Sequence, residues 1–169
     1  MRNVPAAIER SMAAVMREFA DLGGGVAIRP SMSPTDDSTI DNRGSKHFPQ
    51  LRLTASPPQT DDNQATLFCE LELSCESYNE DDGRRTAVKT IYEAAQGVCD
   101  RIFDEAHGWY PGGETTAQTA FEAAINTELG TGNGINVGGY TFGPGQSLYD
   151  DGGINIVALT FRVHYTRIT

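Results

Sequence analysis

Between Thr66 and Phe103 the chain alternates, turns and then changes period. Leu67, Cys69, Leu71, Leu73 and Cys75 place an apolar side chain at every second position, while Phe68, Glu70, Glu72, Ser74 and Glu76 occupy the other side. A period of two with one apolar side predicts a long strand over residues 66–77, buried on one face of a sheet. Asn79-Glu80-Asp81-Asp82-Gly83 then supplies a turn. After it, Ala87, Val88, Ile91, Tyr92, Ala95, Val98, Ile102 and Phe103 recur at spacings of three and four. That stripe predicts a helix from about Arg85 to His107, lying across the sheet.

The same helical spacing opens the chain. Val4, Ile8, Met12, Val15, Met16, Phe19 and Leu22 predict a helix over residues 4–22, with Asn3 as its N-cap, Pro5 in the first turn and Gly23-Gly24-Gly25 as its stop. Val26 to Ile28 reads as a short edge strand before Pro30. Leu51 and Leu53 alternate with Arg52 and Thr54, which predicts a strand over residues 50–55, and Ser56 to Asn63 reads as a connection. Further on, Ala117, Ala120, Phe121, Ala124, Ile125 and Leu129 predict a helix from Glu114 to Leu129, ended by Gly130-Thr131-Gly132-Asn133-Gly134. Ile135 to Phe142 reads as a strand and Gly143 to Gly153 as a polar connection. Ile154 to Thr166 reads as a closing strand with Val157, Leu159, Phe161, Val163 and Tyr165 on one side.

Two strand groups separated by helices predict an α+β fold: a mainly antiparallel sheet packed against two to three helices, in a single domain spanning 1–169 with long loop insertions. At 169 residues one domain is the default. Residues 31–49 interrupt the pattern with Ser, Thr, Asp, Asn, Pro and Gly, and offer only Met32, Ile40 and Phe48 for burial. A stretch of this length and composition predicts an extended loop or arm ordered by a partner subunit.

Charge narrows the partners. Thirteen Lys and Arg against 23 Asp and Glu give a net charge of −10, which excludes a grip on nucleic acid through its phosphates. The charge is also uneven. No Lys or Arg lies between Arg52 and Arg84, an interval holding eight Asp or Glu, and no acidic residue follows Asp151. If the closing strand lies beside strand 66–77, Glu70, Glu72 and Glu76 approach Arg162 and His164, which favours that adjacency. Cys69 and Cys75, six residues apart on one strand face, stand about 20 Å apart and cannot bridge, so the cysteines read as reduced, buried thiols. No uninterrupted apolar segment resembles a signal peptide or a membrane span.

Candidate chemistry is sparse. The glycines at 130, 132, 134, 138 and 139 follow a helix and precede a strand, the reverse of a phosphate-binding loop, and read as a helix cap and loop. The pairs Asp36-Asp37, Asp61-Asp62 and Asp150-Asp151 and the run Glu80-Asp81-Asp82 lack the spacing of a calcium loop and read as solvated turns, with no metal site. His47, His107 and His164 have no companion ligand at zinc-like spacing, and no nucleophile motif accompanies them. No catalytic residue and no cofactor site is expected. Trp109, Tyr110, Tyr140 and Phe142 lie in or near loops and are residue types enriched at protein interfaces. With Met32, Ile40, Phe48 and Tyr149 they form the candidate interface set.

The order of these elements resembles the tail terminator, or tail completion, proteins of tailed bacteriophages. The likeness lies in the N-terminal amphipathic helix, the long polar insertion, the strand ATLFCELELSCES, the helix TAVKTIYEAAQGVCDRIF and the terminal strand INIVALTFRVHYTRI, and covers about 150 residues with 31–49 set aside. The resemblance implies a non-enzymatic virion protein, synthesised in the host cytoplasm. Such a protein forms a homo-oligomeric ring, generally hexameric, that caps the tail tube and joins it to the neck or connector while DNA passes through. It implies no cofactor and no membrane, and assigns the 31–49 and 143–153 loops to contacts with neighbouring rings. Two other classes remain: another virion component, such as a tail tube or head-closure subunit, and a small ligand-binding or enzymatic α+β domain, which needs a concave pocket with convergent polar groups.

Overall fold

The first helix, α1 (Val4–Phe19), begins where its cap dictates: the Asn3 side chain accepts a hydrogen bond from the Ala6 N–H at 3.2 Å, and proline falls in the first turn. It ends three residues before the expected Leu22 because Ala20 turns to extended backbone. Its last carbonyls are not left bare. The Arg101 guanidinium donates to the Phe19 carbonyl and lies over the Phe19 ring, 5.7 Å from its centroid, placing a cation at the negative end of the helix. The computed structural model describes residues 3–20, 22, 26–31, 49–60, 66–78, 82–106, 117–142, 147–151 and 154–168.

Seven strands follow the pattern of alternation: β1 (Ala27–Pro30), β2 (Gln50–Ala55), β3 (Gln59–Thr60), β4 (Leu67–Tyr78), β5 (Ile135–Phe142), β6 (Ser147–Asp151) and β7 (Ile154–Arg167). Between them come α2 (Asp82–Ala106) and α3 (Ala117–Leu129). All strands join one sheet ordered β1-β2-β4-β7-β5, with β3 beside β4 and β6 beside β7. The fold is therefore α+β, a mostly antiparallel sheet with three helices.

The registers show that these strands occupy only five ranks. β2 covers Leu71 to Glu76 of β4 and β3 covers Leu67 and Phe68 of the same edge, so β2 and β3 act as one strand broken at Ser56, Pro57 and Pro58. The break is stitched by Ser56: its N–H donates to the Glu70 carbonyl at 2.8 Å, and its hydroxyl accepts from the Glu70 N–H at 2.9 Å. On the far side, β6 covers Ile154 to Ala158 of β7 and β5 covers Phe161 to Arg167. The expected adjacency is present in full: β4 and β7 pair antiparallel from Leu67–Tyr165 to Tyr78–Ile154.

Several expectations need correction. Residues 143–153 are more than a polar connection, because Ser147–Asp151 folds back on β7 as a hairpin arm with only Gly152 and Gly153 between them. The stretch from Ser56 to Asn63 likewise contains β3. β1 pairs parallel to β2, so the link from Pro30 to Gln50 must return along β1, a topology that itself demands a crossover. α2 starts at Asp82, taking in residues read as turn, while Glu114, Thr115 and Thr116, expected at the start of α3, and the Gly23–Gly25 stop lie outside the described residues.

The core lies between the helices and one sheet face. Ile8, Met12 and Met16 of α1, Val98 and Ile102 of α2, and Phe121 and Ile125 of α3 meet Leu51, Leu53, Leu71, Leu73, Val163 and Tyr165 in one buried cluster. Cys69, Cys75 and Cys99 are free and buried within it. The glycine loop after α3 behaves as a helix stop. Gly130 and Gly132 adopt φ of 78° and 80°, and the Gly130 N–H closes onto the Asn126 carbonyl at 3.0 Å.

Candidate functional site: the open face of the sheet

Residues paired across neighbouring strands share a face, so the registers lay out the side of the sheet away from the helices row by row. Ala27, Gln50, Glu76 and Ile156 form one row, and Arg29, Arg52, Ser74 and Ala158 the next. Thr54, Glu72 and Thr160 follow, then Glu70, Arg162 and Thr141, and last Phe68, His164 and Gly139. None of these belongs to the helix-covered core cluster. Along its six rightful charges the face balances: Glu70, Glu72 and Glu76 against Arg29, Arg52 and Arg162.

Its two ends differ. At one end Gln50, Glu76, Arg29, Ser74, Ile156 and Ala158 are all buried, although four of the six are polar. Burial of a carboxylate demands partners, and Glu76 has them in β2: the Gln50 side-chain amide donates to Glu76 Oε2, and Arg52 Nε stands 3.4 Å from Oε1. The expectation that Glu76 would approach Arg162 and His164 is thereby corrected. Glu76 lies opposite Ile156, and its cation comes from the other neighbouring strand.

At the other end the expected pair forms. Glu70 lies directly opposite Arg162, whose Nε and Nη2 both stand 2.9 Å from Glu70 Oε1. The same guanidinium lies 4.9 Å from the centroid of the Phe68 ring, an arrangement that buries the aromatic beneath a cation. His164 completes the group, its ring centroid 5.6 Å from that of Phe68 and its Nε2 2.9 Å from the Thr141 hydroxyl. Glu72 does not reach Arg162 either. It lies between Thr54 and Thr160 and accepts from the Ser74 hydroxyl at 2.9 Å. Thr54 in turn is hydrogen-bonded to the Ser31 hydroxyl at 2.7 Å.

The buried groups on the helix side have a different chemistry. Burial pushes the Cys69 thiol up to about 11 and the Cys75 thiol up to about 12, with the neighbouring Glu76 charge adding to the latter. Cys99 is raised further still by burial beside Asp100 and Cys75. All three therefore stay neutral thiols at physiological pH, since it is the thiolate that attacks and ligates. Glu9, fully buried in α1, accepts from the Ala55 N–H at 2.7 Å and so ties the helix to the end of β2. Among the described residues no three His, Cys, Asp or Glu converge as metal ligands.

Of the candidate interface residues, Tyr140 is placed by the structure in the core of the protomer. It is 5% exposed, stacks near Phe121 and Phe161 at 6.2 and 6.4 Å, and donates its hydroxyl to Glu122 at 3.3 Å. Phe142 sits in β5 opposite Phe161, and Tyr149 in β6 opposite Ile156. Met32, Ile40, Phe48, Trp109 and Tyr110 lie outside the described residues. The sequence reading passed over Phe68, Gln50 and Arg52 as parts of one face. Phe68 carried a signal, being the lone aromatic on the polar side of β4. Gln50 and Arg52 carried none without knowledge of which strand borders β4. No protein-family model matches the chain, and no curated protein matches it. No helix among the described residues is long and apolar enough to cross a membrane.

Proposed function

We propose that the protein is a structural virion subunit that assembles into a ring capping the tail tube of a tailed bacteriophage and joining it to the neck. The observation that carries the reading is the pairing of the two strands on which the resemblance rests. β4 and β7, 76 residues apart from the end of one to the start of the other, lie side by side over the whole of β4. The first helix and α2 both pack against the sheet that these strands centre. A sheet with helices on one side only leaves a flat, charge-balanced face and two edges for neighbours. The net charge of −10 suits a ring through which DNA passes without sticking.

Native mass spectrometry with negative-stain imaging tests this directly. The expected result is a closed ring, formed by the purified protein alone or on addition of tail tubes. Tubes of indefinite length would sink the terminator reading and favour a tube subunit, because a head-to-tail contact that does not close grows without limit.

A further inference from the structure

One edge of the sheet is set apart by its charge. Residues 129–149 contain no Asp, Glu, Lys or Arg, 21 positions in succession in a chain where 21% of residues are charged. That run supplies all of β5 and the first residues of β6, Ser147, Leu148 and Tyr149, which together form one border of the sheet. The opposite border is built differently. β1 has four residues, includes Arg29 and Pro30, and is buried throughout. Shortness, charge and proline are devices that stop a sheet edge from recruiting another strand. β5 has eight residues and neither a charge nor a proline.

The main-chain hydrogen bonds settle which peptide groups of β5 face outward. The Ile168 N–H donates to the Gly134 carbonyl at 3.0 Å, so Gly134 faces β7 and, by alternation, Asn136 does too. Ile135 faces the other way, and the Asn126 side chain closes it off: Ile135 N–H donates to Oδ1 at 2.8 Å, and its carbonyl accepts from Nδ2 at 3.1 Å. Val137 is the next outward residue. The register then shifts between Val137 and Gly139, and the pairs Gly139–His164 and Thr141–Arg162 leave Tyr140 and Phe142 with outward main-chain groups. No described strand pairs with them.

We propose that this edge pairs antiparallel with the same edge of a second copy about a two-fold axis, joining two sheets into one. In such a contact each patch meets itself, so any charge on it would face a like charge. An uncharged edge is complementary to itself. A basic partner would call for acidic residues here, and the run holds none. Elsewhere the net charge of −10 opposes the approach of a second copy. Main-chain bonds from Val137, Tyr140 and Phe142 supply the attraction, as in strand addition generally. The contact stands apart from the ring reading, since a two-fold pair does not close a six-membered cyclic ring.

Sedimentation or light scattering on the full chain and two variants tests it. A Cβ at Gly138 would meet only the His164 carbonyl oxygen at 4.0 Å, so Gly138→Glu sets a charge at mid-edge without a clash, and Gly138→Ala is its control. Val137→Pro removes an outward N–H at no cost in bonds to β7. The wild-type chain and Gly138→Ala are expected to dimerise, more tightly as salt screens the net charge. Gly138→Glu is expected to weaken the dimer at least roughly tenfold, and Val137→Pro at least as much. A wild-type chain that stays monomeric at about 100 µM overturns the proposal. So does a natively folded Gly138→Glu variant with unchanged dimerisation, and it decides the matter if Val137→Pro fails to fold. Closed rings that survive Gly138→Glu overturn this contact and leave the ring reading in place; dimers without rings do the reverse.

Discussion

On the helix side of β4, Cys69, Leu71, Leu73 and Cys75 are entirely withdrawn from water, whereas one residue along the same strand Glu72 is exposed and Glu70 is half-buried. The two faces share a backbone and a set of main-chain bonds, so their difference isolates what side chains contribute. The helix face is held by volume: residues fill space that no water can enter. The open face is held by pairing: each charge is tolerated because a neighbouring strand brings an opposite one.

The contrast is broken most forcefully from the helix side. Leu73→Ala, at a fully buried site, is expected to cost about 3 kcal/mol by urea unfolding, within the range for leucine truncation in a core. Glu72→Ala, its neighbour on the open face, is expected to stay within about 0.5 kcal/mol. Equal losses would mean that the open face is covered as firmly as the other.

Alkaline pH probes the same side without mutation. Burial raises the folded-state ionisation of Cys69 and Cys75 from an ordinary 9.0 to about 11 and about 12. Above pH 9.0 the unfolded thiols lose protons that the folded ones keep, so the unfolded state gains and stability falls as pH rises through the window up to about 12. The thermal midpoint should therefore drop across that window, and Cys75→Ala should flatten the drop. A midpoint independent of pH there would show that these thiols are reached by water.

Buried carboxylates form the intermediate case. Removing Glu9 strands the Ala55 N–H, so Glu9→Ala is expected to cost about 1–3 kcal/mol, with Glu9→Gln recovering part of it because the amide oxygen still accepts. Glu76→Ala, which deprives both Gln50 and Arg52, is expected to cost about 1–2 kcal/mol despite lying on the open face. The smallest effect belongs to Glu70 and Arg162. Both are substantially exposed, and a double-mutant cycle should give about 0.2–1 kcal/mol, shrinking with added salt.

The sequence revealed the helix face well and the open face poorly, for a physical reason. Burial on one side writes itself into the chain as a period, so Leu67 to Cys75 and Val157 to Tyr165 declared both strands and their inward sides. Pairing depends on which strand lies alongside, and that is a property of the fold. Charge alone pointed Glu70 correctly to Arg162 but sent Glu76 to the same place, when Arg52 of β2 was its partner. Short strands were also hard to see. Ser147–Asp151 has five residues and no clear alternation, and only the Gly152-Gly153 pair hinted at a hairpin. The direction of β1 was beyond reach, because four residues look alike in either orientation.

The pairing of β4 with β7 has a consequence for biosynthesis. The ribosome completes β4 at Tyr78 but does not reach Ile154 until 76 residues later, a delay of roughly 4 to 15 seconds at ordinary translation rates. β2 can close one border of β4 during that wait, but the other border, with Cys69, Leu71 and Leu73 on one side of it, has no strand to meet until residues 154–167 emerge. The nascent chain thus carries an open strand through most of its synthesis, and that interval is when chaperones, or another copy emerging nearby, have their best access to it.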